Sequence, residues 1–101
     1  MGAIVLRSIV VTADNEEDIL LAHENAVELG LRVTNITPSV TNGYTSFMIV
    51  PSGSKCGWDT NIEQGKLMDK FIDWIKWKPV AHWVEIQYGP DAAGVTVIDH
   101  N

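Results

Sequence analysis

The chain has 101 residues, and its 7 basic and 13 acidic side chains give a net charge of −6. With 46% hydrophobic and 20% charged residues, the composition is typical of a folded domain and excludes an intrinsically disordered chain. A chain of this length buries roughly two-thirds of its unfolded surface, so we expect a single domain over residues 1–101. The single Cys excludes an internal disulfide and a multi-cysteine zinc site.

The sequence shows no sign of a membrane span or an export signal. No apolar run approaches the roughly 20 residues that cross a bilayer. Residues 1–12 carry one Arg and a short apolar stretch, but no small-residue cleavage site follows them. We therefore expect no signal peptide, no membrane association and a reducing, cytoplasmic setting.

The first third of the chain predicts a strand followed by a helix. Ala3–Thr12 is rich in Ile, Val and Leu on both alternating faces, which is typical of a central strand covered on both sides for much of its length. Asp14–Leu29 has helical spacing, with Asp14 and Glu17 placed as a capping box. Gly30 is the expected left-handed stop. The apolar residues that recur at helical spacing, and that we expect to be buried, are Ile19, Leu20, Ala26 and Val27.

A hairpin is predicted around Asn42-Gly43, because a type I′ turn needs positive φ at both central residues. Its arms are Leu31–Thr41 and Tyr44–Val50. A two-residue loop would place Ile36 opposite Ile49. We expect a core face made of Ile36, Val40, Phe47 and Ile49, and an open, polar face that includes Tyr44 and Met48.

The second half of the chain predicts a helix and two strands. Thr60–Trp77 is the helix, with a capping box from Thr60 to Glu63. Val80–Tyr88 and Val95–His100 are the strands. The expected buried stripe of the helix is Met68, Phe71, Ile72 and Ile75. The first of these strands alternates, with Val80, His82, Val84, Ile86 and Tyr88 on an apolar side and Ala81, Trp83, Glu85 and Gln87 on a polar side.

In chain order these elements are β-α-β-β-α-β-β. Two split β-α-β units with an added C-terminal strand predict an α+β, ferredoxin-like two-layer sandwich. We expect an antiparallel sheet of four or five strands with both helices on one face, which leaves the other face of the sheet open.

Few residues suggest catalysis or metal binding. Cys56 follows Lys55, which would favour a reactive thiolate, but an incidental loop cysteine explains the pattern as well. The three histidines form no pair at metal-ligand spacing. The alternative for a metal or acid–base site is convergence of His82, Asp99 and His100 across the last hairpin. We expect no cofactor, no metal and no catalytic residue.

The charge distribution argues against direct nucleic-acid binding. A nucleic-acid-binding protein needs a basic stripe to neutralise phosphates. In the second helix, Lys66, Lys70 and Lys76 are instead interleaved with Asp69 and Asp73, which is typical of a solvated helix face.

The first helix carries an uncompensated row of acids. No Lys or Arg occurs between Arg7 and Arg32, and Glu17, Glu24 and Glu28 fall on one stripe. Glu24 and Glu28 are like charges at i, i+4, which costs a few tenths of a kcal/mol. A basic partner surface would turn this repulsion into attraction, whereas the alternative explanation is simple solubility.

Four of the eight aromatic residues are Trp. Packing in a small core explains Trp74, but Trp58 lies in a loop and Trp83 on the polar side of its strand. Trp is also enriched at interface hot spots. We therefore expect Trp58 and Trp83, together with Tyr44 and Met48 on the open sheet face, to contact a partner.

Three segments resemble a pattern found in small uncharacterised proteins of bacteriophages and prophages. They are Pro51-Ser52-Gly53-Ser54-Lys55-Cys56-Gly57-Trp58, Phe71-Ile72-Asp73-Trp74 and Trp83-Val84-Glu85-Ile86-Gln87-Tyr88-Gly89. The resemblance implies a compact, acidic phage protein that binds and disables host machinery, as anti-CRISPR and other anti-defence proteins do. It brings no catalytic residue with it, and it implies the host bacterial cytoplasm as the location.

The sequence thus favours a non-catalytic protein-binding module that occludes a basic surface of a host protein. Two alternatives stay open. One is a small-molecule-binding or enzymatic domain, which would need a pocket holding Cys56 or His82 beside a carboxylate. The other is a structural or assembly protein that forms a homodimer through the open sheet face.

Overall fold

The computed structural model describes residues 3–53, 57–78 and 81–101. Four strands form one antiparallel sheet in the order β2-β1-β3-β4. The α+β prediction is therefore confirmed, but the predicted ferredoxin-like order is wrong, because the chain runs βαβαββ. The elements are β1 (Leu6–Ala13), α1 (Glu16–Glu28), β2 (Thr45–Ile49), α2 (Asp59–Trp77), β3 (His82–Tyr88) and β4 (Thr96–His100).

The predicted strand Leu31–Thr41 does not form, and its residues belong to an irregular arm, residues 31–43. The arm makes one isolated bridge to β2, from Val33 to Ile49, so the predicted Ile36–Ile49 pairing is also wrong. Val40 is 94% exposed and lies outside the core.

Threonine side chains explain why the arm follows β2 without becoming a strand. Thr34 and Thr37 each donate a backbone N–H to a β2 carbonyl, and their hydroxyls accept from the backbone N–H groups of Met48 and Ser46. Hydroxyls that bond backbone groups compete with a regular ladder. Pro38 also has no N–H to offer.

The predicted turn at the end of the arm is present. Asn42 and Gly43 have φ of 58° and 75°, as a type I′ turn requires. Gly43 is also needed for space, because a Cβ there would lie 2.8 Å from the carbonyl oxygen of Asp14.

Both helices begin differently from the prediction. The N-cap of α1 is Asn15 rather than Asp14, and its side chain accepts from the backbone N–H of Asp18 at 2.9 Å. The predicted capping box from Asp14 to Glu17 is therefore wrong. The predicted capping box from Thr60 to Glu63 is also wrong, because α2 begins at Asp59 without a side-chain cap bond. The end of α1 is as predicted, with Gly30 at φ 87°.

The core lies between the helices and one side of the sheet. The prediction that β1 is a central strand is confirmed, and its Ile9, Val11 and Ala13 are buried on the helix-covered side. On the other side Ser8 is also buried, but Leu6, Val10 and Thr12 are only half-buried, so the predicted cover on both sides is incomplete. The predicted stripe of α2 is confirmed in full. The core also contains Ile19, Ala22 and Ala26 of α1, Leu31, Phe47 and Ile49, and Ala81 and Trp83.

The two sides of β3 are the reverse of the prediction. Trp83 and Glu85 are 4% and 2% exposed, because their register with Val11 and Ile9 places them on the helix-covered side. Val84, on the apolar-looking side, is only half-buried. The predicted exposure of Trp83 is therefore wrong, which removes the reason for expecting this residue to contact a partner.

No helix in the described ranges combines the length and the hydrophobicity that crossing a membrane requires.

Candidate partner-binding surfaces

The outward side of α1 mixes carboxylates with exposed aliphatic side chains. Ile19, Ala22 and Ala26 face the core, whereas Leu20 and Val27 are 48% and 51% exposed, so their predicted burial is wrong. The two alanines present only a methyl group to the sheet, so the core-facing stripe of α1 is narrow. We call the surface formed by Glu17, Leu20, Leu21, Glu24, Val27 and Glu28 the α1 outer face.

The acids of the α1 outer face have no cation against them in the described part of the chain. Glu17, Glu24 and Glu28 are all exposed. The ion pairs found among the described residues lie on the other helix and the strands, and they join Arg7 to Asp69 and Glu85, and Lys76 to Asp99. The last turn of α1 contains no basic residue either.

An apolar groove adjoins the α1 outer face at its N-terminal end. It has a volume of about 490 Å³ and lies between α1 and the arm. Leu20 belongs to both the groove and the α1 outer face, and Ile19, Ile36 and Pro38 extend the apolar lining. A side chain of a partner that packs on Leu20 would therefore find an apolar recess next to the acidic row.

The structure brings together only three of the seven predicted contact residues, namely Glu17, Glu24 and Glu28. Met48 is half-buried on the open side of the sheet, opposite Val10, and Tyr44 is exposed just after the turn. Trp58 is exposed at the start of α2. Met48, Tyr44 and Trp58 therefore lie on different parts of the chain from the three glutamates of α1.

Leu20, Leu21 and Val27 are functional candidates that the sequence analysis missed. Helical spacing pointed to Leu20 and Val27, but it placed them in the core. The signal that distinguishes them is the pair of small residues, Ala22 and Ala26, which define the core-facing stripe and leave the bulkier aliphatic residues beside the acids.

The proposed convergence of His82, Asp99 and His100 is wrong. Asp99 pairs with Glu85 in the sheet register and binds Lys76 at 2.8 Å on the helix-covered side, whereas His100 pairs with Val84 on the open side. Among the described residues, no group of three His, Cys, Asp or Glu side chains is placed to hold a metal ion. Cys56 lies outside the described residues, so its predicted alternatives remain untested.

The pocket that contains His82 lacks the carboxylate that the enzymatic alternative requires. It has a volume of about 220 Å³ and is also lined by Val10, Thr12, Trp83, Val84 and Asn101. His23 has a structural role, since its Nε2 lies 3.0 Å from the carbonyl oxygen of Thr34 and its ring meets the Phe47 ring edge-on.

The strongest electrostatic cluster is structural and lies between β1, β3 and α2. Arg7 donates from Nε to Glu85 at 2.6 Å and from Nη2 to Asp69 at 3.1 Å. Burial lowers the pKa of Arg7, but its hydrogen bonds to the two carboxylates outweigh that effect and leave the pKa raised. The guanidinium thus provides the charge partner that buried Glu85 requires.

Comparison of the chain with protein-family models, with curated proteins and with solved structures gave no match.

Proposed function

We propose that the protein is a non-catalytic binding module that docks through the α1 outer face on a basic surface of another protein. One observation carries this proposal. Three carboxylates and three exposed aliphatic side chains share one side of a 13-residue helix, and no cation among the described residues pairs with those carboxylates.

The charges and the aliphatic side chains would contribute differently to binding. The acidic row steers a basic partner and raises the association rate, an effect that salt screens. The aliphatic side chains add affinity by losing water contact, at roughly 25 cal/mol per Å² of apolar surface buried. The repulsion between Glu24 and Glu28 disappears when a cation lies between them.

The resemblance to small phage proteins supports a specific form of this activity. A basic host surface is commonly one that binds nucleic acid, because phosphates are recognised by Lys and Arg. A domain that covers such a surface prevents nucleic acid from reaching it. The proposed activity is therefore inhibition of a host defence protein by occlusion, without chemistry.

The test is affinity capture from bacterial lysate over a salt series, with the captured proteins identified by mass spectrometry. The variant Glu24→Lys/Glu28→Lys reverses the acidic row. The matched control Glu63→Lys/Asp73→Lys makes the same change in net charge at exposed positions of α2. We expect the wild type and the control to retain the same basic protein at low salt and to release it at high salt, and the α1 variant to lose it.

A second variant tests the apolar contribution. Leu20→Ser/Val27→Ser keeps the acids, so we expect weaker retention with an unchanged dependence on salt. Equal retention by the wild type and by Glu24→Lys/Glu28→Lys, with the same salt dependence, would contradict docking through the α1 outer face.

A further inference from the structure

Among the described strand residues, the side of the sheet that faces away from the helices carries no Asp, Glu, Lys or Arg. The strand registers place twelve side chains there, which we call the open face. They are Leu6, Ser8, Val10 and Thr12 of β1, Ser46 and Met48 of β2, His82, Val84, Ile86 and Tyr88 of β3, and Val97 and His100 of β4.

Charge is therefore segregated between the two sides of the sheet. One residue in five of the chain is charged, yet the acids of the strands, Glu85 and Asp99, both point to the helix-covered side. The remaining acids lie on the helices and in the connections. A chain with a net charge of −6 repels its own copies, and the open face is the sheet surface where that repulsion is weakest.

The four hydroxyl groups of the open face bond to each other in two pairs, in which His82 and His100 take no part. The hydroxyl oxygens of Ser8 and Tyr88 are 2.9 Å apart, and those of Thr12 and Ser46 are 2.7 Å apart. These hydroxyl groups keep their hydrogen-bond partners when another protein covers the open face. Burying them therefore costs less free energy than burying unpaired polar groups.

Apolar side chains occupy the rest of the open face, apart from His82 and His100. Leu6, Val10, Val84 and Ile86 are half-buried on the central strands, and Val97 on the edge strand is 56% exposed. An antiparallel sheet with one solvated side normally carries polar residues there. An apolar solvated side that lacks charge is typical of a protein interface.

We propose that the open face packs against the open face of a second copy of this chain. A basic partner has no counter-charge to bind there, whereas a second copy presents the same uncharged surface and forms a symmetric interface. Two sheets that pack face to face lie about 10 Å apart with interdigitated side chains.

The size of the open face limits the area that a dimer can bury. The four strands have 8, 5, 7 and 5 residues and lie about 4.8 Å apart, so the open face covers roughly 400 Å². A pair of copies therefore buries about 800 Å², which is less than the roughly 1,000 Å² expected of a stable interface and is typical of a transient one. The dimer is accordingly weak and depends on protein concentration.

The test is sedimentation velocity over a concentration series, at low and at high salt. Val97→Lys places a charge on the open face at an exposed position, and Val10→Lys places one at its centre. Val40→Lys is the matched control, because Val40 is exposed on the arm, away from the open face. We expect a dimer that forms as concentration rises, is weakened by about tenfold or more in both open-face variants, and is unchanged in the control.

Salt separates this interaction from docking through α1. Because the open face is uncharged while the copies repel each other, we expect high salt to leave the dimer unchanged or to strengthen it. A mass of 11.2 kDa at every concentration would overturn the proposal. A dimer that salt weakens, or one that Val97→Lys leaves intact, would also overturn it. Circular dichroism checks that Val10→Lys is folded, and Val97→Lys alone decides the outcome if it is not.

Discussion

The two sides of the sheet differ in how they combine charge with burial. The helix-covered side takes in Glu85 together with its cation Arg7, whereas the open face is uncharged but only half-buried. Val10 and Val11 are adjacent in the chain, yet one contacts solvent and the other is completely buried. The side of the sheet therefore decides burial at these positions, and a carboxylate enters the core only where a cation accompanies it.

In strand β3, the alternation of apolar and polar residues predicts the wrong side as the buried one. Its apolar-looking side, with Val84 and Ile86, faces solvent, and its mixed side enters the core. The Trp83 side chain supplies a large apolar surface to that core, and the Arg7 guanidinium compensates the Glu85 carboxylate. Paired substitutions, each made with a matched control, test how much buried and exposed residues contribute to the free energy of unfolding.

The largest expected effect is removal of the buried indole. Trp83→Ala leaves a cavity between β3 and α2, so we expect the free energy of unfolding to fall by about 3–5 kcal/mol. Trp77→Ala is the control, since Trp77 is largely exposed at the end of α2, and we expect a change within about 0.5 kcal/mol. Urea unfolding measures both. Similar losses in the two variants would show that Trp83 does not belong to the core.

The next effect comes from the ion pair inside the helix-covered side. Arg7→Met leaves Glu85 buried without its cation, and we expect a loss of about 3 kcal/mol at neutral pH. Asp69→Asn should cost less than about 1 kcal/mol, because the Asp69 side chain is 70% exposed.

A double variant separates the ion pair from simple packing. Arg7→Met/Glu85→Leu removes both charges and keeps the volume, so we expect it to be more stable than Arg7→Met alone. Equal stability of the single and double variants in urea would argue that the charge of Glu85 contributes nothing to the loss.

Local signals in the sequence predicted much of this fold. The stripe of α2 was correct because its four residues repeat with helical spacing over a long element. The turn at Asn42-Gly43 was correct because few residues accept positive φ. The arm was not predictable in the same way, since its register depends on the hydroxyls of Thr34 and Thr37, which no pattern of hydrophobicity reports.

The surfaces were less predictable than the elements. The acidic row of α1 needed only helical spacing, so its three Glu residues were found together. The orientation of Trp83 depended on the register between β1 and β3 and on a cation that is 78 residues from Glu85 in sequence. An ion pair between residues so far apart in the sequence cannot be predicted from a local pattern.

A smaller effect on stability is expected when the same substitution is made on each side of the sheet, at the neighbouring positions Val10 and Val11. Val11→Thr buries a hydroxyl among apolar side chains, and we expect a loss of about 1–3 kcal/mol. Val10→Thr places the same group on the open face, where we expect less than about 1 kcal/mol. Thermal unfolding of the two variants at a low, common concentration measures the difference. A larger cost for Val10→Thr would mean that the open face is already covered under those conditions.

The smallest expected effect concerns the exposed ion pair that joins β4 to α2. The hydrogen bond from Lys76, with a second from the backbone N–H of His100, lowers the pKa of Asp99. A lowered pKa stabilises the folded chain above the pH range in which a free aspartate titrates, and this stabilisation is lost as the pH falls from that range through the lowered pKa of Asp99. Asp99→Asn should therefore melt slightly below the wild type at neutral pH, and the difference should vanish in acid. A difference that stays constant with pH would show that Asp99 acts through its shape and not through its charge.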